Sequence, residues 1–218
     1  MAGESMLKYR GQPIVSSRGI QRLIIRQISA QLYEDWLVHA KDWTKPGFRA
    51  LAVHRFGAML LKRKRGILTT VLSIFYTSMF RYVRNHYGIE LRATTIVGRR
   101  FLLAHQHGIV IHPSTVFGDD VVVHQNVTIG ESNRDHKREA PRFGNRVSLG
   151  TGAVILGAVV IGDDVVIGPN VVITTNIPSG TTVYAQPPRH FKLTHWNFHQ
   201  KPLLSQEAQE EVSRIVLE

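Results

Sequence analysis

A branched aliphatic residue or phenylalanine returns every six residues through the middle of this 218-residue chain. From residue 143 onward the register is unbroken, at Phe143, Leu149, Ile155, Ile161, Ile167 and Ile173. A second apolar series keeps the same period four places along, at Val147, Ala153, Val159, Val165, Val171 and Ile177. A strand alternates every two residues and a helix repeats near every 3.6, so a period of six fits neither. It is typical of short parallel strands joined by tight turns and stacked as a parallel β-helix, with three hexads in each coil.

The register continues towards the N-terminus and slips twice. Its earlier members are Leu91, Val97, Leu103, Ile111, Phe117, Val123 and Ile129. Ile111 lies eight positions after Leu103, and Phe143 lies fourteen positions after Ile129, where six are expected. Insertions in a solenoid form loops on its outside, and such loops tend to carry function. A β-sandwich of short strands is the alternative fold, but it does not explain a fixed period of six.

Three helices are predicted before the repeat. The first runs from Ser17 to about Ala40, the second from Pro46 to Leu61, and the third from Ile67 to about Tyr87. We therefore expect a mainly β protein with a basic helical region at 1–88, a β-helix at 89–180 with a loop at 131–142, and a C-terminal tail and cap at 181–218. A short helix is predicted at residues 206–217.

The positive charge is concentrated in the helical region. Residues 1–87 hold 15 Lys and Arg against 4 Asp and Glu, whereas the rest of the chain is balanced. Such a patch fits nucleic acid, anionic lipid or an anionic substrate. We see no nucleic-acid motif and expect no nucleic-acid partner.

The third predicted helix carries no charge from Ile67 to Phe80. These 14 residues fall short of the roughly 20 needed to cross a bilayer, so a buried helix is expected. Because basic residues flank the segment, a peripheral contact between residues 1–88 and an anionic membrane stays open as the alternative.

Two absences limit the chemistry and the location. The chain has no cysteine, so disulfides, a thiolate zinc site and a cysteine nucleophile are excluded. The first residues, MAGESMLKYR, lack the apolar core of a secretion signal. We expect a cytoplasmic protein, with the inner face of the membrane as a possible site of attachment.

Several segments of the repeat resemble a known family: VGRRFLLAHQHGIVIHP, DDVVVHQNVTIG, VSLGTGAVILG and VVIGDDVVIGPNVVI. Together, residues 88–189 resemble the hexapeptide-repeat acetyltransferases, particularly serine acetyltransferases and their relatives that O-acetylate bacterial surface polysaccharides. The resemblance implies a left-handed β-helix, a homotrimer or dimer of trimers, acetyl-CoA as the donor and active sites between neighbouring subunits.

On this resemblance, His105 falls at the catalytic histidine of the family. An alcohol is a poor nucleophile at neutral pH, and an imidazole is well suited to take its proton. Glu90 matches the acidic residue that partners this histidine. It lies 15 residues before His105, close to one coil of eighteen, which predicts that the two are vertical neighbours. His107, in the same insertion, is a candidate for shaping the acceptor site.

Two departures from serine acetyltransferases concern the acceptor. Ala104 stands where those enzymes carry an aspartate, and Ala140 stands where they carry a second histidine before a proline. We therefore expect the acceptor to be a sugar hydroxyl of a surface polysaccharide or its precursor, contacted by His136 and Arg138 in the long loop. The alternatives are a serine O-acetyltransferase and a non-catalytic β-helix that binds partners.

The resemblance also suggests contacts for the donor in a groove between prisms. The candidates are Gly130, Ser132, Gly150, Thr151, Gly168, Pro169 and Arg189. His105, His112 and His124 together suggest the three-histidine zinc site of β-helical carbonic anhydrases. Their spacing differs from that family's, so no metal is expected.

Overall fold

The computed structural model describes residues 17–132 and 140–186, and all of these except Gln186 belong to one compact unit that ends at Ala185. Its helices are α1 (Ser17–Val38), α2 (Pro46–Leu61) and α3 (Ile67–Tyr82). A π-helical turn, Val83–Tyr87, follows α3 and ends at Gly88, whose φ is 61°. The three predicted helices are therefore present, but the third changes to π geometry after Tyr82. The predicted helix at 206–217 lies outside the described residues.

Short parallel strands occupy the repeat. They are β1 (Ile89–Leu91), β2 (Leu102–Leu103), β3 (Ile109–Ile111), β4 (Val116–Phe117), β5 (Val122–Val123), β6 (Thr128–Gly130), β7 (Arg142–Phe143), β8 (Ser148–Leu149), β9 (Val154–Leu156), β10 (Val160–Ile161), β11 (Val166–Ile167), β12 (Val172–Ile173) and β13 (Thr182–Val183). The strands are interrupted every few residues because each hexad supplies one strand and one turn.

The strands form three parallel sheets. Sheet A has the order β1-β3-β6-β9-β12, sheet B has β10-β7-β4, and sheet C has β13-β11-β8-β5-β2. We call this three-sheet unit, residues 89–183, the prism. Parallel sheets and a six-residue repeat agree with the predicted β-helix, in which the chain passes from sheet A to sheet B to sheet C in each coil.

The pairing registers confirm both slips of the hexad pattern. Val154 pairs with Val172, an offset of one regular coil of eighteen residues. The offset is 20 where Leu103 pairs with Val123, and 26 where Val123 pairs with Leu149. The strands on either side of each insertion thus remain paired in register.

The hexad side chains fill the interior of the prism. Leu103, Ile111, Ile129, Leu149 and Ile155 are each at most 1% exposed. Fully burying one such side chain contributes roughly 1.5–3 kcal/mol to the free energy of unfolding. The burial of every second residue in each short strand fixes which side chains face outwards.

A buried ion pair joins the helices to the first coil. The Arg55 Nε atom of α2 lies 2.9 Å from the Asp35 Oδ2 atom of α1, and both side chains are at most 4% exposed. Arg55 also donates to the carbonyls of Val97 and Gly98, while the Phe101 N–H donates to Asp35. Burial raises the pKa of Asp35, and its hydrogen bonds with Arg55 oppose that rise.

His54, beside this pair in α2, makes the fold sensitive to acid. Burial and the neighbouring Arg55 charge lower its pKa from 6.5 to about 3. Between these values the unfolded chain binds a proton that the folded chain does not, so the free energy of unfolding falls as the pH drops. Lowering the pH from 7 to 5 should remove about 2 kcal/mol through this group. Urea unfolding at the two pH values measures the loss.

His54→Gln should reduce that pH dependence, because the amide does not titrate. Part of it will remain, since burial also lowers the pKa of His39. His86, an exposed histidine of the π-helical turn, supplies the control, and His86→Gln should leave the wild-type pH dependence in place. Equal pH dependence in the wild type and His54→Gln would contradict the assignment.

Candidate active site

His105 lies on the outside of the prism at the corner between sheets C and A. We call this the first corner; it comprises residues 104–108, 124–127, 150–153 and 168–171. His105 follows β2 and is exposed. The Ala104 N–H donates to the Val123 carbonyl at 3.0 Å, which stacks this turn on the turn of the next coil. An exposed imidazole on a turn of this kind is accessible to a substrate.

His124 is the neighbour of His105 in the next coil. The two ring centroids are 6.2 Å apart. The His124 Nδ1 atom lies 2.9 Å from the Leu149 carbonyl oxygen, so Nδ1 carries the proton and donates it. Its Nε2 atom is therefore a hydrogen-bond acceptor in the neutral ring. Sequence reasoning missed this pairing, although the 20-residue offset of the first coil places Ala104 level with His124.

Glu90 is not level with His105 in the stack of coils. Its register partner in β3 is Val110. The Glu90 carboxylate accepts hydrogen bonds from Arg92 Nε at 3.2 Å and Nη2 at 3.1 Å. The expectation that Glu90 and His105 are vertical neighbours is not met in the register, because Glu90 lies in a strand of sheet A and His105 lies in the turn before that sheet.

His107 is held by backbone contacts within the same corner. Its N–H donates to the Tyr87 carbonyl at 2.8 Å, and its carbonyl accepts from the Asn126 N–H at 3.0 Å. Its φ is 71°, an unusual value for a residue with a side chain. The ring is exposed near the end of the π-helical turn.

His112 lies on a different edge of the prism. The second corner, between sheets A and B, comprises the described residues 112–115, 131–132, 140–141, 157–159 and 174–176. There the Ser114 N–H donates to His112 Nδ1 at 3.2 Å, so Nε2 bears the proton in the neutral ring. That atom lies 3.9 Å from a Glu131 carboxylate oxygen. Within residues 17–132 and 140–186, no three His, Cys, Asp or Glu side chains are arranged to hold a metal ion.

The candidate donor contacts fall on both corners. Gly150, Thr151, Gly168 and Pro169 lie on the first corner with His105, whereas Gly130 and Ser132 lie at the second. A Cβ at Gly150 would lie 2.7 Å from the Gly168 carbonyl carbon, and one at Gly168 would lie 2.5 Å from a Tyr184 ring carbon. Close stacking of the coils therefore accounts for these two glycines.

Gly130 is different. A Cβ there would meet only a Leu156 methyl group at 3.5 Å, an ordinary contact. Nearby, Ser132, Leu156 and Gly157 contribute to an open groove of about 430 Å³. Packing within the chain therefore does not require a glycine at 130. Of the remaining candidates, His136, Arg138 and Arg189 lie outside the described residues.

Comparisons with known proteins define the family. Residues 141–175 match the family model for the bacterial transferase hexapeptide (six repeats). The chain is 36% identical over 138 residues to the serine acetyltransferase of Helicobacter pylori, covering 63% of this chain and 77% of that protein. It is 31% identical over 146 residues to the serine acetyltransferase of Bacillus subtilis, covering 67% and 64%.

Solved structures of serine acetyltransferases from other organisms share the fold of this chain. Serine acetyltransferase isoform 3 of Entamoeba histolytica, in complex with cysteine, superposes with a TM-score of 0.64 at 22% identity. The match covers 79% of this chain and 64% of that one. The soybean serine acetyltransferase apoenzyme gives a TM-score of 0.64 at 21% identity, covering 78% and 73%.

The prediction of a sugar hydroxyl of a polysaccharide as the acceptor was wrong. The relatives and structural neighbours described above are serine acetyltransferases, and they favour the alternative set beside it. The hypothesis of a non-catalytic β-helix fails on the same comparisons. The chain belongs to the serine acetyltransferase family of hexapeptide-repeat transferases and is an acyltransferase that uses acetyl-CoA.

Proposed function

We propose that this chain transfers the acetyl group of acetyl-CoA to the hydroxyl group of L-serine. The observation that carries the proposal is the 36% identity to the Helicobacter pylori serine acetyltransferase, which extends over 77% of that protein. The exposed His105 on the first corner supplies the base that such a reaction needs.

In the proposed reaction, His105 removes the proton of the serine hydroxyl as its oxygen attacks the thioester carbonyl carbon. The tetrahedral intermediate then breaks its C–S bond, and the departing CoA thiolate takes the proton back from the imidazolium. Backbone N–H groups at the prism surface would stabilise the oxyanion. The base itself typically contributes about 10²- to 10⁴-fold to the rate.

His124 is our candidate for a contact that Ala104 does not provide. Serine acetyltransferases resemble this chain at His105 but carry an aspartate before it. The His124 ring lies beside His105, and its Nε2 atom is left as an acceptor by the hydrogen bond from Nδ1 to Leu149. We propose that Nε2 accepts from the serine ammonium group. Glu90 remains a predicted partner of His105, although its carboxylate is bonded to Arg92 in this chain.

We also propose a trimer, wound left-handed as the family resemblance implies. Its support is the division of the candidate donor contacts between two corners of one prism. Within one prism, sheet A separates Gly130 and Ser132 from His105 and Gly150. A groove that contacts all four in a single chain would have to cross that sheet. Neighbouring copies would bring the first corner of one chain to the second corner of the next. Pairing of two such trimers stays an open alternative.

An acceptor assay tests the proposed activity. With acetyl-CoA and L-serine, free CoA should appear at a turnover of about 1–10³ per second, the usual range for enzymes. L-alanine, which lacks only the hydroxyl, should give background release. Activity with a nucleotide-linked sugar but none with L-serine would overturn the assignment.

A further inference from the structure

Helix α3 turns a row of large apolar side chains away from the prism. We call this row the α3 apolar face; its members and exposed fractions are Ile67 88%, Leu68 66%, Val71 57%, Ile74 64% and Phe75 56%. Their spacing of three and four residues places them on one side of the helix. Other side chains of α3 make its contacts with the core: Phe80 is buried, and the Tyr76 hydroxyl accepts the Ala93 N–H at 3.0 Å. Contiguous apolar exposure of this kind marks an interaction site.

The serine and threonine hydroxyl groups of α3 all donate to backbone carbonyls of this chain. Thr70, Ser73, Thr77 and Ser78 each donate to the carbonyl four residues earlier, and Thr69 donates to the Lys64 carbonyl. Such bonds leave no serine or threonine hydroxyl of this helix dependent on water. Moving these serine and threonine side chains from water into an apolar environment therefore costs little desolvation free energy.

The charge around the face has a single sign. Residues 43–89 contain no Asp or Glu. The run 62–65, Lys-Arg-Lys-Arg, directly precedes the helix, and Lys62, Lys64 and Arg65 are exposed. Exposed Arg81 and Arg84 lie at its other end. An apolar helix face with basic residues at both ends is complementary to a negatively charged surface that has an apolar interior.

A second copy of the chain fits this face less well. A symmetric contact would set the same patch on both partners, so basic residues would lie opposite basic residues: the run at 62–65 would face either itself or Arg81 and Arg84 of the other copy. Like charges in that position repel, and no acidic side chain in residues 43–89 offsets them.

We propose that the α3 apolar face, together with the basic run at 62–65, docks this enzyme on an anionic lipid membrane, with α3 lying in the plane of the interface. The helix has 16 residues, which at 1.5 Å per residue gives about 24 Å, short of the hydrocarbon thickness. Among the described residues no helix is long and apolar enough to cross a membrane. The proposal rests on α3 and the basic residues at its two ends, and it does not depend on the identity of the acceptor.

Vesicle co-sedimentation of the full chain tests the docking. At low salt, vesicles of phosphatidylcholine with about one-third phosphatidylserine should bind the protein at least about tenfold more tightly than pure phosphatidylcholine. Raising the salt to about 0.5 M should abolish most of the difference, because the screening length shortens. Val71→Ser/Ile74→Ser and Lys62→Gln/Lys64→Gln should each lower the affinity for anionic vesicles by about tenfold.

Two matched controls separate a docking face from general surface properties. Tyr33→Ser/Leu37→Ser removes an exposed apolar pair from α1, and Lys41→Gln/Lys45→Gln removes two exposed lysines near α2. Both should bind vesicles as the wild type does. Equal binding to neutral and anionic vesicles would overturn the proposal. So would a Val71→Ser/Ile74→Ser protein whose light-scattering mass falls while its vesicle binding is unchanged, since the face would then belong to a second copy.

Discussion

His105→Ala is expected to lower kcat for acetyl transfer by about 10²- to 10⁴-fold while CoA binding stays intact. The reason is chemical: without an imidazole at the first corner, nothing in the proposed site takes the proton of the attacking hydroxyl. The ring is exposed, so its loss removes little packing. Steady-state release of CoA measures the effect, and calorimetry with CoA checks that the donor still binds.

His112→Ala is a stringent control for that substitution, because the proposed trimer would bring the second corner of a neighbouring chain to the same groove. His112 is also a histidine on a turn of the prism, but it lies on the second corner and its ring contacts Ser114 and Glu131. If the base is His105, the control should keep kcat within a few fold of the wild type. Wild-type activity in His105→Ala, or an equal loss in both variants, would move the base elsewhere or show that the turns are merely structural.

The prism was predictable because the side chains that fill its core recur at a fixed period. Each hexad buries its own aliphatic side chain, so the pattern is visible in the sequence without knowledge of any partner, and the two slips reappear as registers of 20 and 26 residues. The helices were predictable for a similar reason. The third helical segment ends before Gly88 as predicted, but its change to π geometry at Val83–Tyr87 was not predictable, because that change has no periodic signal.

The candidate site was predictable only in part. A register slip and a family resemblance single out His105, but side-chain pairing depends on local geometry that spacing does not report. Glu90 lies 15 residues before His105, yet its carboxylate is bonded to Arg92, two residues away. His124 is level with Ala104 only because the first insertion lengthens the coil to 20 residues.

The acceptor was mispredicted because the prediction relied on two alanines and not on the similarity of the whole chain to serine acetyltransferases. Ala104 and Ala140 remove side chains that hold serine in related enzymes, and that absence suggested another substrate. A nearby residue can provide the same chemical group from a neighbouring coil, as we propose for His124. In a stacked solenoid, residues from different coils can therefore place the same chemical group at one point of the site.

The second large effect is expected in stability. Asp35→Asn should reduce the free energy of unfolding by about 3–5 kcal/mol, because it leaves the buried Arg55 charge without its partner. Asp35 is fully buried and Arg55 is 4% exposed, so solvent cannot replace the lost interaction. The pair also joins α1 and α2 to the first coil, and the helices should loosen from the prism together. Urea unfolding followed by circular dichroism measures the change.

Asp164→Asn provides the control for this loss, since it breaks an ion pair of the same chemistry at the surface. Arg146 and Asp164 are 55% and 53% exposed, so screening by solvent leaves this pair little net contribution to the free energy of unfolding. If Asp35→Asn costs no more than Asp164→Asn, the Arg55 charge must reach water in the folded chain.

Asp35→Leu/Arg55→Met should recover only part of the loss, because the Val97 and Gly98 carbonyls would then lack the donor that Arg55 supplies. A complete recovery would mean that neither the ion pair nor its contacts to the first coil add net stability over apolar side chains at these two positions.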